Sequence, residues 1–299
     1  MSARWQHLRR PRRLAVGARF TQTRAAPTTL RAVLTPLGWP GFAEITLLAL
    51  LALLLAAFVA GVVDAVVGGG GLVQLPALLL LLPGAPVLAL ATNKVAAVVG
   101  TAAATATYAR RTTVDWRAGW VMAAAAFAGA LAGALFAGTL PATALRVVVL
   151  VAVLGVGVYT LRTPNLGVAQ RLRFGRRSQL LLMAAGGAVI GGYDGLAGPG
   201  TGSFLVFLLV GVVGYAFLHA SATAKLVNVA TNLGALAYFV PAGHVVWGLA
   251  LGMAVANVLG ATLGARVAVH RGSAFVRRVF LVVVVVLVVS LTVQLVASA

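Results

Sequence analysis

The sequence predicts an all-α polytopic membrane protein with about eight transmembrane helices in two homologous four-helix repeats. Only 9% of its 299 residues are charged and 61% are hydrophobic, with a mean hydropathy of +1.04, whereas about a quarter of the residues of soluble domains are charged. Apolar runs of roughly 20 residues, the length that crosses a hydrocarbon layer as helix, recur along the chain. Motifs of the first half also return in the second half.

Four parts follow from the order of the apolar runs. Residues 1–43 form an Arg-rich tail without an acidic residue, 44–161 form repeat 1, 162–178 form a basic connector, and 179–299 form repeat 2. The apolar blocks of repeat 1 lie at about 45–82, 87–109, 118–140 and 144–161. Those of repeat 2 lie at 179–214, 216–240, 245–265 and 275–297. The first block of each repeat is broken by a Gly-rich stretch.

The repeats are identified by residues that match at a nearly constant offset. "GVVDAVVGGGG" aligns with "GGYDGLAGPGTG", which places Asp64 on Asp194. "ATNK" aligns with "ATAK", which places Lys94 on Lys225. Further matches are Trp116 with Trp247, Met122 with Met253, Gly129 with Gly260, and Gly133 with Gly264. Matches over most of each half indicate an internal duplication, and the glycine pairs, spaced as GxxxG, indicate close helix packing.

The arginines predict the orientation, because cytoplasmic loops carry an excess of Lys and Arg. With one net crossing per block, the tail, the loop that contains Arg110 and the connector are cytoplasmic. Both termini then lie inside a plasma or inner membrane, and the even number of crossings per half makes the repeats parallel. One group does not fit, since this arrangement places it outside: Arg266, Arg271, Arg277 and Arg278.

Several classes of function are excluded by composition. The formal net charge is +19, but the arginines lie in the tail and between apolar runs, so we expect the bilayer and no nucleic acid as partner. The chain has no Cys, four His and four acidic residues, so we expect no disulfide, no metal centre and no cofactor. A nucleotide-binding GxxxxGK[ST] motif is absent from the sequence.

The Gly-rich stretches interrupt segments that are too long for one straight crossing. The first block has about 38 residues, and as one helix it would measure about 55 Å, nearly twice the hydrocarbon thickness. We therefore expect a helix, a glycine turn and a short second helix, either as a re-entrant loop or as a tilted broken helix. Irregular backbone at this depth should line a cavity. Free amides near Leu72–Gln74 and Thr201–Ser203 would favour an anion.

Lys94 and Lys225 are the only lysines of the chain, and both lie deep in apolar segments. A charge at mid-membrane costs at least about 2.5–3.5 kcal/mol and therefore needs a partner or a water-filled site. One interpretation is structural, with Asp64 and Asp194 neutralising the lysines as buried ion pairs. The other is functional, with the lysines holding an anion. The two are compatible if each lysine exchanges its carboxylate for the anion during a cycle.

The candidate site joins these charges to the polar and glycine residues around them. The proposed substrate-binding residues are Lys94, Lys225, Asn93, Thr92, Thr223, Asn228, Asn232, Gly69, Gly70, Gly71, Gly200, Thr201, Gly202 and Ser203. Asp64 and Asp194 are proposed as ion-pair or coupling residues, and proton coupling through either of them is a further hypothesis. No catalytic residue is expected.

The same residues carry a resemblance to a known family. The segments "GVVDAVVGGGGLVQLPALL", "ALATNKVAAVVGTAAATATYARR" with "VDW" after it, "GGYDGLAGPGTGSFLVF" and "HASATAKLVNVATNLGAL" resemble the TauE/SafE family of sulfite exporters and toluene-sulfonate permeases. The likeness covers about residues 45 to 297. It implies a permease for small sulfur-containing anions such as sulfite, sulfoacetate or sulfonates. Members differ in cargo and direction, so the resemblance implies a class of substrate.

The residues and the resemblance together predict a secondary anion transporter that is not an enzyme. Two other classes stay open at this point. An intramembrane enzyme could use Asp64 and Asp194 as an aspartyl pair, although the lysines would then have no role. A non-transporting membrane subunit is the other alternative, although a scaffold needs no buried lysine. The sequence predicts no particular oligomeric state.

Overall fold

The computed structural model describes residues 47–82, 85–137, 162, 167 and 169–297, and within them every regular element is a helix. The predicted all-α class is confirmed for this part of the chain. The helices are α1 (Leu47–Val67), α2 (Gly71–Leu81), α3 (Pro86–Ala109), α4 (Trp116–Leu135), α5 (Arg176–Leu196), α6 (Thr201–Phe207), α7 (Phe217–Phe239) and α8 (Trp247–Ala297). A π-helical stretch, Leu208–Val213, continues α6. The predicted tail and the block at 144–161 lie outside the described residues.

Four of these helices are long and apolar enough to cross a membrane, namely Leu48–Val67, Pro86–Ala109, Trp116–Leu135 and Trp247–Val286. Helices α5 and α7 have 21 and 23 residues, and α7 buries polar side chains that lower its hydropathy. The segments Gly71–Leu81 and Thr201–Val213 are apolar but shorter. The last two predicted blocks form α8, which consists of two helices that meet at a kink at Gly272, where the backbone is not helical and φ is 73°.

Both Gly-rich stretches are breaks, as predicted, and each one reverses the chain. In the second half, Gln179 at the start of α5 donates from Nε2 to the Tyr215 hydroxyl, which follows the π-helix, at 2.7 Å. Midway along this hairpin, a Cβ on Gly186 would meet the Leu208 side chain. The segment that contains α5 and α6 therefore begins and ends at one face of the protein. The prediction of one net crossing for this block is wrong, because the glycine turn sends α6 back along α5.

The first half contains the equivalent hairpin. Asn257 Nδ2 donates both to Ala57 O in α1, at 3.2 Å, and to Gln74 Oε1 in α2, at 2.8 Å. At the turn itself, a Cβ on Gly70 would lie 2.6 Å from Ala60 O. Helix α2 thus runs back along α1 and returns to the face where α1 begins.

The hairpins define two faces of the protein. We call one the arginine face, formed by residues 110–117, 171–177, 214–218 and 271–278. Its segments meet through the pair of Arg176 and Asp115 at 2.9 Å and through the Leu218 amide, which donates to Ser273 Oγ at 3.2 Å. At the opposite face, Leu53 of α1 shares an apolar cluster with Phe239, the last residue of α7.

This arrangement corrects the predicted orientation. Helix α1 begins at the face opposite to the connector. The sequence predicted that α1 begins at the same face as the connector, and for the described residues this is wrong. The same arrangement explains three of the four arginines that did not fit, whereas Arg266 precedes the segment 271–278 of the arginine face. Arg271, Arg277 and Arg278 flank the bend in α8 and lie at the arginine face, beside the Arg-rich connector.

Glycines let the helices of one half pack directly on helices of the other. A Cβ on Gly129 of α4 would lie 2.1 Å from Ala188 O of α5, and one on Gly260 of α8 would lie 2.0 Å from Phe58 O of α1. Gly133 and Gly264 make the same kind of approach one turn later. The predicted role of these GxxxG pairs in close helix packing is confirmed.

Candidate functional site

The two glycine breaks meet at the centre of the protein. Gly68 has φ of 85°, and a Cβ on it would lie 2.2 Å from the carbonyl carbon of Gly202. The Ser203 amide donates to Gly68 O at 3.2 Å, and Ser203 Oγ donates to Val67 O at 3.1 Å. Gly68 thus meets two requirements that only glycine satisfies, a left-handed backbone and contact with another backbone.

The amides that we expected to be free at the starts of the short helices are already bonded. In α2, the amides of Leu72, Val73 and Gln74 donate to the carbonyls of Gly69 and Gly70 at 3.0–3.1 Å. In α6, the Thr201 amide donates to Gly198 O at 3.3 Å, and the Ser203 amide is taken by Gly68. The prediction was wrong at these positions, because the tight glycine turns bring carbonyls within reach of the first amides.

The two lysines lie at this junction, and each is paired with an aspartate of the other half. Lys94 Nζ donates to Asp194 Oδ2 at 2.7 Å, and Lys225 Nζ donates to Asp64 Oδ2 at 2.9 Å. The lysine side chains are 2% and 0% exposed, so both pairs are removed from solvent. The structural interpretation of the sequence therefore describes the arrangement seen here.

The aspartates of the two ion pairs differ in their contacts with neighbouring hydroxyl groups. Both oxygens of Asp194 have a donor nearby, since Lys94 contacts Oδ2 and Thr201 Oγ1 lies 2.7 Å from Oδ1, although the same hydroxyl is also 2.8 Å from Gly198 O. Thr101 Oγ1 lies 3.4 Å from Asp64 Oδ2 but only 2.6 Å from Ala97 O. A hydroxyl has one hydrogen, and the shorter contact uses it.

A small polar cavity of about 30 Å³ opens beside the pairs. About 10–15 Å³ measured in this way is enough for one water molecule, so the cavity has room for water beside the ion pairs. The residues that line it come from both halves and are Asp64, Gly68, Gly71, Asn93, Lys94, Ala97, Asp194, Gly198, Gly200, Thr201, Gly202, Asn228 and Asn232.

Ten of the sixteen predicted site residues line this cavity, and the other six lie around it. Lys225 bonds to Asp64, which lines the cavity, and Ser203 bonds the second break to the first. Gly69 and Gly70 are buried in the first break. Thr92 Oγ1 accepts from the Val246 amide at 3.1 Å, so it stabilises the start of α8. The Thr223 hydroxyl is buried without a hydrogen-bond partner among the described residues.

The sequence analysis missed lining residues for which a signal existed. Gly68 and Gly198 occupy matching positions in the two breaks, and both have positive φ. Ala97 follows Lys94 by three positions, so it lies on the same face of α3. Helical spacing from the lysine would have found it.

Asn93 presents an unpartnered polar atom to the cavity. It is 7% exposed and lines the cavity, yet its Oδ1 has no hydrogen-bond partner among the described residues. A buried polar atom without a partner costs about 1–3 kcal/mol. The free atom is a carbonyl oxygen, so it can accept a hydrogen bond from a water or another donor in the cavity. No group of three or more His, Asp or Glu side chains that could hold a metal occurs in the described ranges.

A second polar network, which the sequence analysis did not predict, lies at the arginine face. Asp115 accepts from Arg176 Nη1 at 2.9 Å, from the Tyr215 hydroxyl at 2.7 Å and from the Ala118 amide at 3.0 Å. Partial burial opposes ionisation of Asp115, but these donors outweigh it and hold the pKa of the carboxyl well below its usual range. Burial and the bond to Asp115 raise the pKa of Tyr215.

Interrupted apolar segments in corresponding places of the two halves, with buried charges beside them, are typical of membrane transporters. The sequence profile of the family described as "Sulfite exporter TauE/SafE" matches residues 53–291. The chain belongs to this family, which is one of membrane transporters.

Named relatives agree with this class. The chain is 35% identical over 240 residues to "Probable membrane transporter protein ORF9" of Sinorhizobium sp, covering 80% of this chain and 90% of the relative. It is 36% identical over 231 residues to "Probable membrane transporter protein YfcA" of Escherichia coli strain K12, covering 77% and 85%. A "Probable membrane transporter protein" of Haemophilus influenzae is 35% identical over 221 residues, covering 74% and 85%. No solved structure matches the chain.

Proposed function

We propose that this protein is a secondary transporter of small sulfur-containing anions, such as sulfite, sulfoacetate and other sulfonates, in the plasma or inner membrane. The observation that carries the proposal is the position of Lys94 and Lys225, which meet aspartates of the opposite half where the two hairpin breaks touch. The family description "Sulfite exporter" is the basis for proposing a sulfur-containing substrate, and the buried lysines are the basis for proposing an anion.

Binding would exchange one negative partner for another. An anion that enters beside Lys94 competes with Asp194 for the ammonium, and Asn93, Asn228 and Thr201 offer neutral hydrogen bonds around it. Each lysine is already bonded to a carboxylate, at 2.7 Å or 2.9 Å, so an anion that binds a lysine must open its ion pair. Loading therefore separates groups that now bind the two halves together.

We also propose that the halves are inverted rather than parallel repeats. Matching hairpins begin at opposite faces, α1–α2 at one and α5–α6 at the arginine face. Their packing is reciprocal, since Gly129 meets Ala188 while Gly260 meets Phe58. Inverted repeats with a central site made from broken helices suit alternating access, in which one half rocks against the other.

The arginine face is proposed to be cytoplasmic. The described loops of that face carry Arg110, Arg111, Arg171, Arg173, Arg177, Arg271 and Arg278, whereas the loop 240–246 at the opposite face carries none. The excess of positive charge on cytoplasmic loops then fixes the orientation.

An aspartyl enzyme is a weaker reading of the same residues. Such a site needs two carboxylates close enough to share a proton. Asp64 and Asp194 are instead each bonded to a different lysine. The geometry therefore favours transport over hydrolysis.

The test is uptake of radiolabelled sulfite and of a sulfonate by proteoliposomes that contain the purified protein. We expect uptake by the wild type and its collapse in both Lys94→Ala and Lys225→Ala. Arg110→Ala, at an exposed position on the arginine face, is the matched control and should retain uptake. Undiminished uptake in both lysine variants would make the lysines structural partners only, and no uptake by the wild type would reject the function.

A further inference from the structure

The two buried ion pairs differ in how completely the carboxylate is held. Asp194 receives Lys94 on Oδ2 at 2.7 Å, and on Oδ1 it receives the Thr201 hydroxyl at 2.7 Å, which is shared with Gly198 O at 2.8 Å. Asp64 receives both of its contacts on Oδ2, and the Thr101 hydroxyl at 3.4 Å is committed to Ala97 O. Asp64 therefore depends on one strong bond, from Lys225.

The two carboxylates also differ in their access to water. The Asp64 side chain is 16% exposed, whereas that of Asp194 is 4% exposed. Asp64 lies between the cavity and Lys225, which is 0% exposed and does not line the cavity. A proton that arrives through water reaches Asp64 more readily than any other member of the two pairs.

Few ionisable groups surround Asp64. Lys225 approaches from α7, and Tyr108 on α3 donates its hydroxyl to Ala65 O at 2.8 Å, one residue further along α1. Lys94 and Asp194 share the cavity. The other neighbours of this part of α1 are uncharged, because α2 and α6 contain no ionisable residue and α8 packs here through Gly260 and Gly264.

We infer that Asp64, and not Asp194, is the carboxylate that takes up a proton together with each transported anion. This inference rests on the proposed function. A proton from bulk water adds to Asp64 on the loading side, which neutralises the carboxylate and leaves Lys225 without its counter-charge. A protonated Asp64 can donate to the Thr101 oxygen beside it. Release of the anion on the other side returns Lys225 to Asp64, and the proton leaves to water.

The direction of coupling follows from charge. The four side chains carry no net charge when both aspartates are ionised, and an anion alone would add an uncompensated charge in a low-dielectric site. A proton on Asp64 cancels that charge. Ionised Asp64 and the anion compete for Lys225, so proton and anion bind together. The protein is therefore a symporter that carries one proton per monovalent anion. In an antiporter, binding of the anion would instead release the proton.

The first test uses the wild type in proteoliposomes with radiolabelled methanesulfonate, which stays a monoanion over the range of pH used. An acidic exterior should drive accumulation by about tenfold per unit of pH gradient, the value for one proton per anion. A pH dye inside the vesicles should report acidification when methanesulfonate is added. Anion exchange at equal pH without either response would overturn the inference and leave the proposed function intact. No flux of methanesulfonate or sulfite in any mode would reject the proposed function itself.

The second test assigns the residue. Asp64→Asn should lose both the gradient-driven accumulation and the acidification of the lumen, and whatever anion exchange it retains at equal pH should not respond to the gradient. Asp64→Glu retains a titratable group at the position and should keep both responses. Asp194→Asn is the matched variant, and whatever exchange it retains should still respond to the gradient. Gradient-driven accumulation by Asp64→Asn, or its selective loss in Asp194→Asn, would overturn the assignment. If Asp64→Asn does not fold, Asp64→Glu and Asp194→Asn still decide the question.

Discussion

Lys94 Nζ lies 2.7 Å from Asp194 Oδ2, and the two residues belong to opposite halves of the chain. The reciprocal pair, Lys225 with Asp64, is made at 2.9 Å by the equivalent residues in exchanged roles. Each half thus supplies the counter-charge for the lysine of the other. An anion that replaces either aspartate loosens a contact between the halves, so this geometry links substrate binding to their relative movement.

The first prediction concerns the stability of the Lys94–Asp194 pair. Lys94→Met alone leaves a buried carboxylate without its partner, and Asp194→Asn alone leaves a buried ammonium. Loss of one partner of a buried pair costs about 3–5 kcal/mol. Thermal unfolding in detergent should show both single variants to be destabilised by an amount of this order.

The double variant Lys94→Met with Asp194→Asn separates stability from transport. It removes both charges, so we expect it to recover most of the lost stability while transport stays abolished. Recovery of transport in the double variant would mean that Lys94 acts only through its ion pair. The site assignment would then fail.

The second prediction concerns backbone contact between α1 and α8. Gly260→Ala adds a Cβ that would lie 2.0 Å from Phe58 O, whereas in Gly252→Ala the nearest atom is the Leu54 side chain at 3.6 Å. Both glycines lie in the same helix, so helix propensity cancels in the comparison. Overpacking typically costs about 1–3 kcal/mol. The melting temperature of Gly260→Ala should fall clearly below that of Gly252→Ala, and equal values would contradict the close packing seen here.

The sequence predicted the membrane class, the glycine breaks and the meeting of lysines with aspartates, because each depends on residue type at a given spacing. Helix lengths follow from apolar runs, and a lysine at mid-membrane needs a partner wherever the chain supplies one. It did not predict which partner. The exchange between halves, Lys94 with Asp194 rather than Asp64, depends on how the helices cross.

The direction of the hairpins was the main error, and its cause is physical. A broken segment of about 38 residues satisfies hydropathy equally well as one crossing with an insertion or as a hairpin that returns. Only contacts such as that of Gln179 with Tyr215 distinguish the two. The group that did not fit, Arg266, Arg271, Arg277 and Arg278, already indicated an error in the count of crossings.

The third prediction concerns Asp115 at the arginine face. Donors from Arg176, Tyr215 and Ala118 outweigh the effect of burial and lower the pKa of this carboxyl in the folded state. A depressed folded pKa gives stability that is complete above the unfolded value of about 4 and is lost as the pH falls through the folded value. The difference in melting temperature between the wild type and Asp115→Asn should therefore be largest near neutral pH and shrink below about pH 4.

Neighbouring arginines provide the control for this network. Arg176→Gln removes the partner of Asp115 and should reproduce much of the effect of Asp115→Asn. Arg177→Gln changes the next residue, which is exposed and makes no ion pair among the described residues. It should leave the melting temperature and its dependence on pH unchanged. A difference between the wild type and Asp115→Asn that persists undiminished in acid would show that ionisation of Asp115 is not its source.

The last prediction concerns the direction of the hairpins across the membrane. The chain has no cysteine, so single-cysteine variants labelled with an impermeant maleimide report one position each. Arg177, Arg271 and Ala242 are exposed in the structure. One crossing per block places Arg177→Cys and Ala242→Cys inside and Arg271→Cys outside. The hairpins place Arg177→Cys and Arg271→Cys together at the arginine face, with Ala242→Cys opposite.

Labelling of intact cells and of inverted membrane vesicles therefore distinguishes the two topologies without reference to function. We expect Ala242→Cys to react from outside, and Arg177→Cys and Arg271→Cys to react only when the cytoplasmic face is exposed. The positions of the arginines require this result, because the hairpin topology puts the connector and the bend of α8 on one side. Reaction of Arg271→Cys from outside in cells where Arg177→Cys is protected would restore parallel repeats and remove the structural basis for alternating access about a central site.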